Sequence, residues 1–145
     1  MDKSTTKHLE EMMIDLGSQD DLTGYIESPD TLLPFDSFAE YYGSLDKVTA
    51  IDQAEIVRRS GIERTYCYQI LNGTRPHPGR DKIIRLCLAA DLSVKETVRA
   101  LEASSEAILY SRRKRDVVIA YAVNHGLSVE DTNILLDQFE EKPLA

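Results

Sequence analysis

Apolar residues recur along most of the chain at intervals of three and four positions, a spacing that places them on one face of an α-helix. The first such set is Leu9, Met12, Met13 and Leu16. This set predicts a short amphipathic helix over Thr6 to Leu16. The next stretch, Gly17 to Asp36, holds two glycines, two prolines and many acids. It predicts an irregular connection, with a turn of helix around Asp21 to Ile26.

From Asp36 onward, capping residues and glycines mark helix ends at regular intervals. Asp52 with Glu55, and Ser93 with Glu96, have the spacing of capping boxes. No segment alternates with a period of two, so we predict no strands and an all-α chain. The predicted helices are one beginning near Ser37, one from Asp52 to Ser60-Gly61, one from about Arg64 to Leu71, one from about Arg80 to Ala90, one from Ser93 to about Glu102, one from Arg112 to Asn124, which Gly126 ends, and one capped by Ser128.

The charges of the chain are segregated along its length. The net charge of −8 divides into −9 for residues 1–46, +5 for residues 47–125 and −4 for residues 126–145. A basic middle therefore lies between two acidic ends. The acidic pI of about 4.9 does not exclude a nucleic-acid partner, because the distribution of charge matters more than its sum.

Several function classes have little support in the composition. No apolar run approaches the length of a membrane span, and the polar, acidic start does not resemble a secretion signal, so we expect a cytoplasmic protein. His8, His77 and His125 have no ligand spacing, and Cys67 and Cys87 are expected to be small buried hydrophobes, so we expect no metal and no cofactor. Without a glycine-rich phosphate loop or a nucleophile elbow, we also expect no enzyme.

The most informative spacing joins two short helices around Gly61. Helices separated by three or four residues that include a glycine must cross steeply. The apolar residues expected to meet at the crossing are Ile56, Val57, Ile62, Cys67 and Ile70. This leaves a polar outer face on the second helix, formed by Arg64, Thr65, Tyr68, Gln69 and Asn72. That face has no carboxylate after Glu63, which is unusual for a solvated helix surface.

These residues resemble the DNA-binding domain of the XRE-like family of bacterial and phage regulators built like lambda repressor and Cro. The matching motifs are Gln53, Ser60-Gly61-Ile62, Ile70-Leu71-Asn72-Gly73, Arg75-Pro76 and Arg80-Asp81-Lys82. The resemblance covers about Ser37 to Ser104. Val57 and Glu63 depart from it, since the family usually has alanine and a small hydroxyl residue or glycine there. The segment from Leu109-Tyr110 to Leu135-Leu136 resembles a C-terminal extension that is found in a Firmicutes subgroup of these regulators.

The resemblance implies a five-helix, lambda-repressor-like helix-turn-helix domain with additions at both ends. The implied divisions are an acidic N-terminal extension at 1–36, a DNA-binding domain at 37–104 and a C-terminal helical extension at 105–145. It also implies that the third helix, about 64–71, lies in the major groove of double-stranded DNA. The function expected from it is sequence-specific DNA binding by a transcriptional regulator.

Contact roles follow from the same resemblance. The residues expected at DNA bases or beside them are Arg64, Thr65, Tyr68 and Gln69. The residues expected at phosphates are Gln53, Asn72, Arg75 and Arg80. Arg64 matches the paired acceptors of guanine, and Gln69 can pair with adenine. Each has an ordinary structural alternative: Arg64 as a solvated side chain, Tyr66 beside it as a packing residue, and Asn72-Gly73 as a helix terminator.

Other hypotheses remain open from the sequence. The fold also suits a protein-interaction module, such as an adaptor or antitoxin-like partner, that does not bind DNA. The acidic N-terminal segment either competes with DNA for the basic middle or serves as a solubilising addition. The two C-terminal helices either form a homodimer contact or cover the core. The basic run Ser111 to Arg115 either contacts flanking phosphates or pairs with the acidic ends of the chain.

Overall fold

A computed structural model describes residues 6–28, 32 and 35–145. The chain divides into two compact units, Met1–Pro34 and Phe35–Ala145. Within the described residues every regular element is an α-helix, as predicted. None of these helices is both long enough and apolar enough to cross a membrane.

The described residues of the N-terminal unit contain two nine-residue helices, α1 (Thr6–Ile14) and α2 (Gln19–Glu27). The hydroxyl of Ser18 accepts a hydrogen bond from the amide of Asp21 and so caps α2. The turn of helix predicted around Asp21 to Ile26 is thus a complete helix. Pro29 and Pro34, predicted within the irregular connection, lie outside the described residues.

The second unit contains eight helices within residues 35–145. Their bounds are α3 (Phe38–Ser44), α4 (Asp46–Thr49), α5 (Gln53–Ser60), α6 (Arg64–Leu71), α7 (Arg80–Ala89), α8 (Val94–Ala103), α9 (Lys114–Asn124) and α10 (Val129–Gln138). The predicted helices of this region are present with ends within about two residues of those expected. The four-residue α4 was not predicted, because one turn is too short to show a helical period.

Helix caps confirm one predicted capping box and contradict the other. The hydroxyl of Ser93 accepts from the amide of Glu96 at 3.1 Å, and the Glu96 carboxylate accepts from the amide of Ser93 at 2.9 Å. The prediction for Asp52 and Glu55 is wrong, since the Asp52 side chain makes no cap bond. The Glu55 carboxylate instead pairs with Arg58, because a guanidinium one turn away gives a stronger, charge-assisted hydrogen bond than a backbone amide does.

One hydrophobic core extends through the second unit. Its members come from helices of both the 37–104 segment and the 105–145 segment, with Ile119 and Leu136 as buried as Ile83. The predicted segments are therefore two parts of one compact unit. Cys67 and Cys87 are fully buried, as expected of small hydrophobes.

Arginine–aspartate pairs connect the C-terminal part of this unit to α7. Arg80 contacts both carboxylate oxygens of Asp116 at 2.9 Å. Arg115 contacts both oxygens of Asp81 at 3.1 and 3.0 Å. Each helix thus supplies one acid and one arginine, and bidentate pairs of this kind fix orientation as well as adding energy. The geometry sets α9 firmly beside the start of α7.

Candidate nucleic-acid interface

The turn between α5 and α6 consists of Gly61, Ile62 and Glu63. Gly61 has φ 68°, a left-handed conformation, and so reverses the chain after α5. The Ser60 hydroxyl donates to the carbonyl of Val57 and accepts from the amide of Ile62. The residues expected at the crossing of the helices, Ile56, Val57, Ile62, Cys67 and Ile70, are all buried. Packing and turn together hold α6 in one orientation.

Glu63 caps the start of α6. Its carboxylate accepts from the amide of Thr65 at 3.0 Å and from the amide of Tyr66 at 2.8 Å. The bond from Tyr66, followed by that from Thr65, lowers the pKa of Glu63 below its usual value. The next carboxylate along the chain is Asp81. The one acid at the head of this segment therefore has its carboxylate held by the backbone of α6.

The outward face of α6 carries the side chains predicted for it. Arg64 and Thr65 are exposed, and Tyr68 and Gln69 are partly exposed. The Arg64 guanidinium lies 5.8 Å from the centre of the Tyr68 ring, one helical turn away. These four residues form a continuous strip from the first turn of α6 to the last. We call this strip, together with Asn72 and Arg75, the α6 face.

The loop after α6 extends this surface. Arg75 donates from Nε to the Gln69 side-chain oxygen, and its guanidinium lies 4.7 Å from the centre of the Tyr66 ring. The Asn72 side chain accepts from the amide of Thr74 at 2.9 Å. Tyr66 is partly buried and packs against the core, which agrees with its structural alternative. Arg75 is thereby held beside Gln69 at the end of the helix.

Two other residues predicted at phosphates occupy different settings. Gln53 is exposed in the first turn of α5. Arg80 is partly buried and makes four hydrogen bonds within the protein, two to Asp116 and two to the carbonyl oxygens of Ala107 and Ile108. A guanidinium has five N–H donors, so Arg80 keeps only one for any other partner. No local pattern predicts this pairing, since Asp116 lies 36 residues further along the chain.

The basic run Ser111 to Arg115 is divided in its contacts. Arg115 pairs with Asp81, and the Lys114 ammonium lies 3.8 Å from a carboxylate oxygen of Glu141. Arg112 and Arg113 are exposed and form no ion pair with any residue that the structure describes. Lys114 and Arg115 thus pair with acids of the same chain, whereas Arg112 and Arg113 face solvent.

No protein-family model matches the chain, and no curated protein or solved structure shows significant similarity to it. The family resemblance therefore remains an expectation that depends on the motifs of the sequence.

Proposed function

We propose that this protein binds double-stranded DNA in a sequence-specific manner, as a transcriptional regulator, with α6 in the major groove. In this proposal α3, α5, α6, α7 and α8 form a lambda-repressor-like helix-turn-helix domain. The observation that carries it is the α6 face, which presents hydrogen-bonding and cationic groups and no free carboxylate. A major groove admits one α-helix and presents donors and acceptors on the edges of the bases.

Base reading is assigned to the exposed strip of α6. Arg64, in the first turn, has the donor geometry for the N7 and O6 atoms of guanine. Thr65 can hydrogen-bond to a base or contact a thymine methyl group. Gln69 is suited to adenine through its amide, and its bond with Arg75 restricts its orientation. Tyr68, partly buried beside Arg64, is assigned to sugar or phosphate at the edge of the base contacts.

Phosphate contacts are assigned to the two ends of the helix pair. Gln53 lies at the start of α5, and Asn72 and Arg75 follow the end of α6. Contacts of this kind fix the register of a protein on the duplex and carry no sequence information directly. Arg80 is left out of the set, because Asp116 and two carbonyl oxygens already occupy its guanidinium.

The two classes of contact predict different mutant behaviour. Replacing Arg64 with alanine should weaken binding by about 1–3 kcal/mol and relax preference at one base position. Replacing Arg75 with alanine should weaken binding to all sequences alike and reduce the salt slope by about one. The measurement is fluorescence anisotropy with a selected duplex and its single-base variants, over a range of salt concentrations.

Lys95 provides a matched control, because it is an exposed cation on α8, a helix that contributes no residue to the α6 face. The variant Lys95→Ala removes the same charge and should leave both affinity and base preference unchanged. Equal effects from all three substitutions would indicate non-specific attraction to DNA. Unchanged binding in Arg64→Ala and Arg75→Ala would contradict the assignment of the α6 face.

The second candidate function is that of a protein-interaction module. It is favoured by the exposed apolar side chains of the C-terminal helices, among them Val117, Tyr121 and Phe139, and by the acidic pI of the whole chain. Purification behaviour distinguishes this function from DNA binding. A module of this kind would co-purify with a protein partner and would not be retained on heparin or on duplex DNA at low salt.

A further inference from the structure

Residues 142–145 form no helix, yet side chains of three helices hold their backbone. Arg115 of α9 donates to two of their carbonyl oxygens, at 3.0 and 3.1 Å. The Asn133 side chain of α10 accepts from the amide of Leu144 at 2.7 Å. The carboxylate of Asp81, on α7, accepts from the amide of the last residue at 2.9 Å. We call residues 142–145 the tail segment.

Leu144 anchors the tail segment in the core. Its side chain is only 3% exposed and belongs to the same cluster of buried residues as Ile83 and Leu136. Its neighbour Pro143 is exposed. Because one buried side chain and several bonds to backbone atoms hold it, the tail segment has one defined docked position.

Arg85 of α7 connects the tail segment to the turn before α6. Its Nε atom donates to the carbonyl of Ala145, and its Nη2 atom donates to the carbonyl of Leu144, each at 2.8 Å. The other terminal nitrogen, Nη1, donates to the carbonyl of Ser60 at 3.0 Å. One planar guanidinium therefore joins the tail segment to the end of α5.

The Ser60 carbonyl lies at the point where α5 ends and the turn begins. The last carbonyl groups of a helix have no partner within the helix, and Arg85 supplies a donor here. The same Nη1 atom lies 2.9 Å from the place that a Cβ atom on Gly61 would occupy. The guanidinium is thus packed directly against the backbone of the turn, and a movement of one requires a movement of the other.

We infer that Arg85 is a positioning residue for α6 and that the tail segment holds Arg85 in place, so that DNA affinity depends on docking of the tail. This inference rests on the proposed function, because it concerns the helix proposed to read DNA. Without the two carbonyl groups of the tail, the guanidinium loses the acceptors that fix its plane. The tail segment is therefore a point of control, since its withdrawal lowers affinity without changing any residue of the α6 face.

A substitution of Leu144 tests the effect of docking. The variant Leu144→Asn places an amide in the core and should undock the tail segment, because a buried polar group without partners is unfavourable. Its affinity for a selected duplex, measured by fluorescence anisotropy, should fall about five- to tenfold, the lower range for coupling between two sites. Leu144→Ala, which perturbs the core less, should give a smaller loss. Circular dichroism verifies that each variant is folded at the assay temperature.

Pro143→Asn is the matched control. It introduces the same side chain at the neighbouring, exposed position, and neither substitution changes the net charge that attracts DNA. Pro143→Asn should bind DNA as the unchanged chain does. An unchanged affinity in Leu144→Asn, or an equal loss in Pro143→Asn, would overturn the inference.

A double-mutant cycle tests whether the tail segment acts through Arg85. The variant Arg85→Met keeps an unbranched side chain and removes the guanidinium, so it should weaken DNA binding by a similar factor. Adding Leu144→Asn to it should weaken binding no further, because the connection is already absent. The stability lost through Leu144→Asn, measured by urea unfolding, should appear in both backgrounds, since it arises from the core. Losses of affinity that multiply would indicate general destabilisation and overturn the inference.

Hydrogen exchange without DNA separates failure of this inference from failure of the proposed function. The amide of Ile62 donates to the Ser60 hydroxyl at 3.1 Å within the turn, so its exchange reports how firmly the turn is held. The buried Leu101 of α8 provides a reference amide for unfolding of the whole unit. Relative to this reference, Ile62 should exchange faster in Leu144→Asn and in Arg85→Met.

The Ile62 amide should exchange at an unchanged rate in Pro143→Asn. Unchanged exchange in all of the variants would overturn the inference, even in a chain that binds DNA. Faster exchange in Leu144→Asn and Arg85→Met, in a chain that binds no duplex in any form, would contradict the proposed function and leave the role of the tail segment in holding the turn supported.

Discussion

At the scale of single residues, Arg80 illustrates how tertiary context determines the role of a side chain. In the sequence it follows a glycine and begins a predicted helix, and a phosphate contact was expected of it. In the structure Asp116 takes both terminal nitrogens of the guanidinium. The Asp116 side chain is only 5% exposed. A buried carboxylate needs such a partner, because an isolated buried charge is very unfavourable.

The variant Asp116→Asn should reduce the free energy of unfolding by about 3–5 kcal/mol at neutral pH, since it leaves the partly buried guanidinium of Arg80 without its counter-charge. Urea unfolding measured by circular dichroism tests this value. Asp137→Asn makes the same chemical change at an exposed position of α10 and should stay within about 0.5 kcal/mol of the unchanged chain. Equal losses in the two variants would contradict a stabilising role for the Arg80–Asp116 pair.

The same pair predicts a pH dependence. Burial alone would raise the pKa of Asp116, but the Arg80 guanidinium and the amide of Tyr110 outweigh it and lower the pKa. An acid with a lowered pKa stabilises the fold above its ordinary pKa of about 3.9, and this stabilisation is lost as the pH falls through the lowered value. The stability difference between the unchanged chain and Asp116→Asn should therefore shrink in acid. A difference that stays constant down to about pH 2 would contradict this account.

At the scale of elements, the turn before α6 determines how the proposed reading helix is held. Gly61 has φ 68°, and a Cβ atom there would lie 2.9 Å from a terminal nitrogen of Arg85. That nitrogen donates to the carbonyl of Ser60 at 3.0 Å. A side chain at position 61 would therefore strain the backbone and displace Arg85 from the end of α5.

The variant Gly61→Ala should lose about 1–2 kcal/mol of stability from the left-handed backbone alone. Gly43→Ala is the matched control, because Gly43 lies within α3 and no atom approaches its Cβ position within 4 Å. It should gain about 0.5–1 kcal/mol, since glycine is unfavourable inside a helix. Thermal unfolding of both variants tests these two values. A gain in stability for Gly61→Ala would contradict the account that the turn requires a left-handed residue at position 61.

Elements were predictable from the sequence where local signals determine them. Gly61, Ser93 with Glu96 and Ser128 mark helix ends through contacts within a few residues, and the structure has each of them. The capping box expected at Asp52 is absent, since the Asp52 side chain makes no cap bond and the Glu55 carboxylate pairs with arginines three and four residues ahead. The pairing of Arg80 with Asp116 escaped prediction for a different reason. It joins distant parts of the chain, and no local pattern reports which parts will meet.

The candidate site shows the same division. The outward strip Arg64, Thr65, Tyr68 and Gln69 follows from helical period once the buried side of α6 is known. The contact between Arg75 and Gln69 depends on the path of the loop after α6. The prolines of that loop predict a break in the helix, but they do not predict which way the chain turns. In the sequence Glu63 is only a departure from the family pattern, and its two bonds from backbone amides follow from the geometry of the turn.

At the scale of the whole molecule, the segregation of charge along the chain supports the proposed function. The segment that holds the α6 face has a net charge of +5, although the chain as a whole has −8. A local basic surface attracts DNA even when the total charge is negative, because at moderate salt the charges more than about 10 Å away are largely screened.

Selection of a random duplex library on the purified full chain tests the central claim, DNA reading by α6, most directly. The variant Arg64→Ala, Gln69→Ala and the control Lys95→Ala are selected in parallel. The account predicts one short enriched motif for the unchanged chain and the control, and its loss in the double variant. No enrichment at low salt, or the same motif in all three proteins, would contradict it.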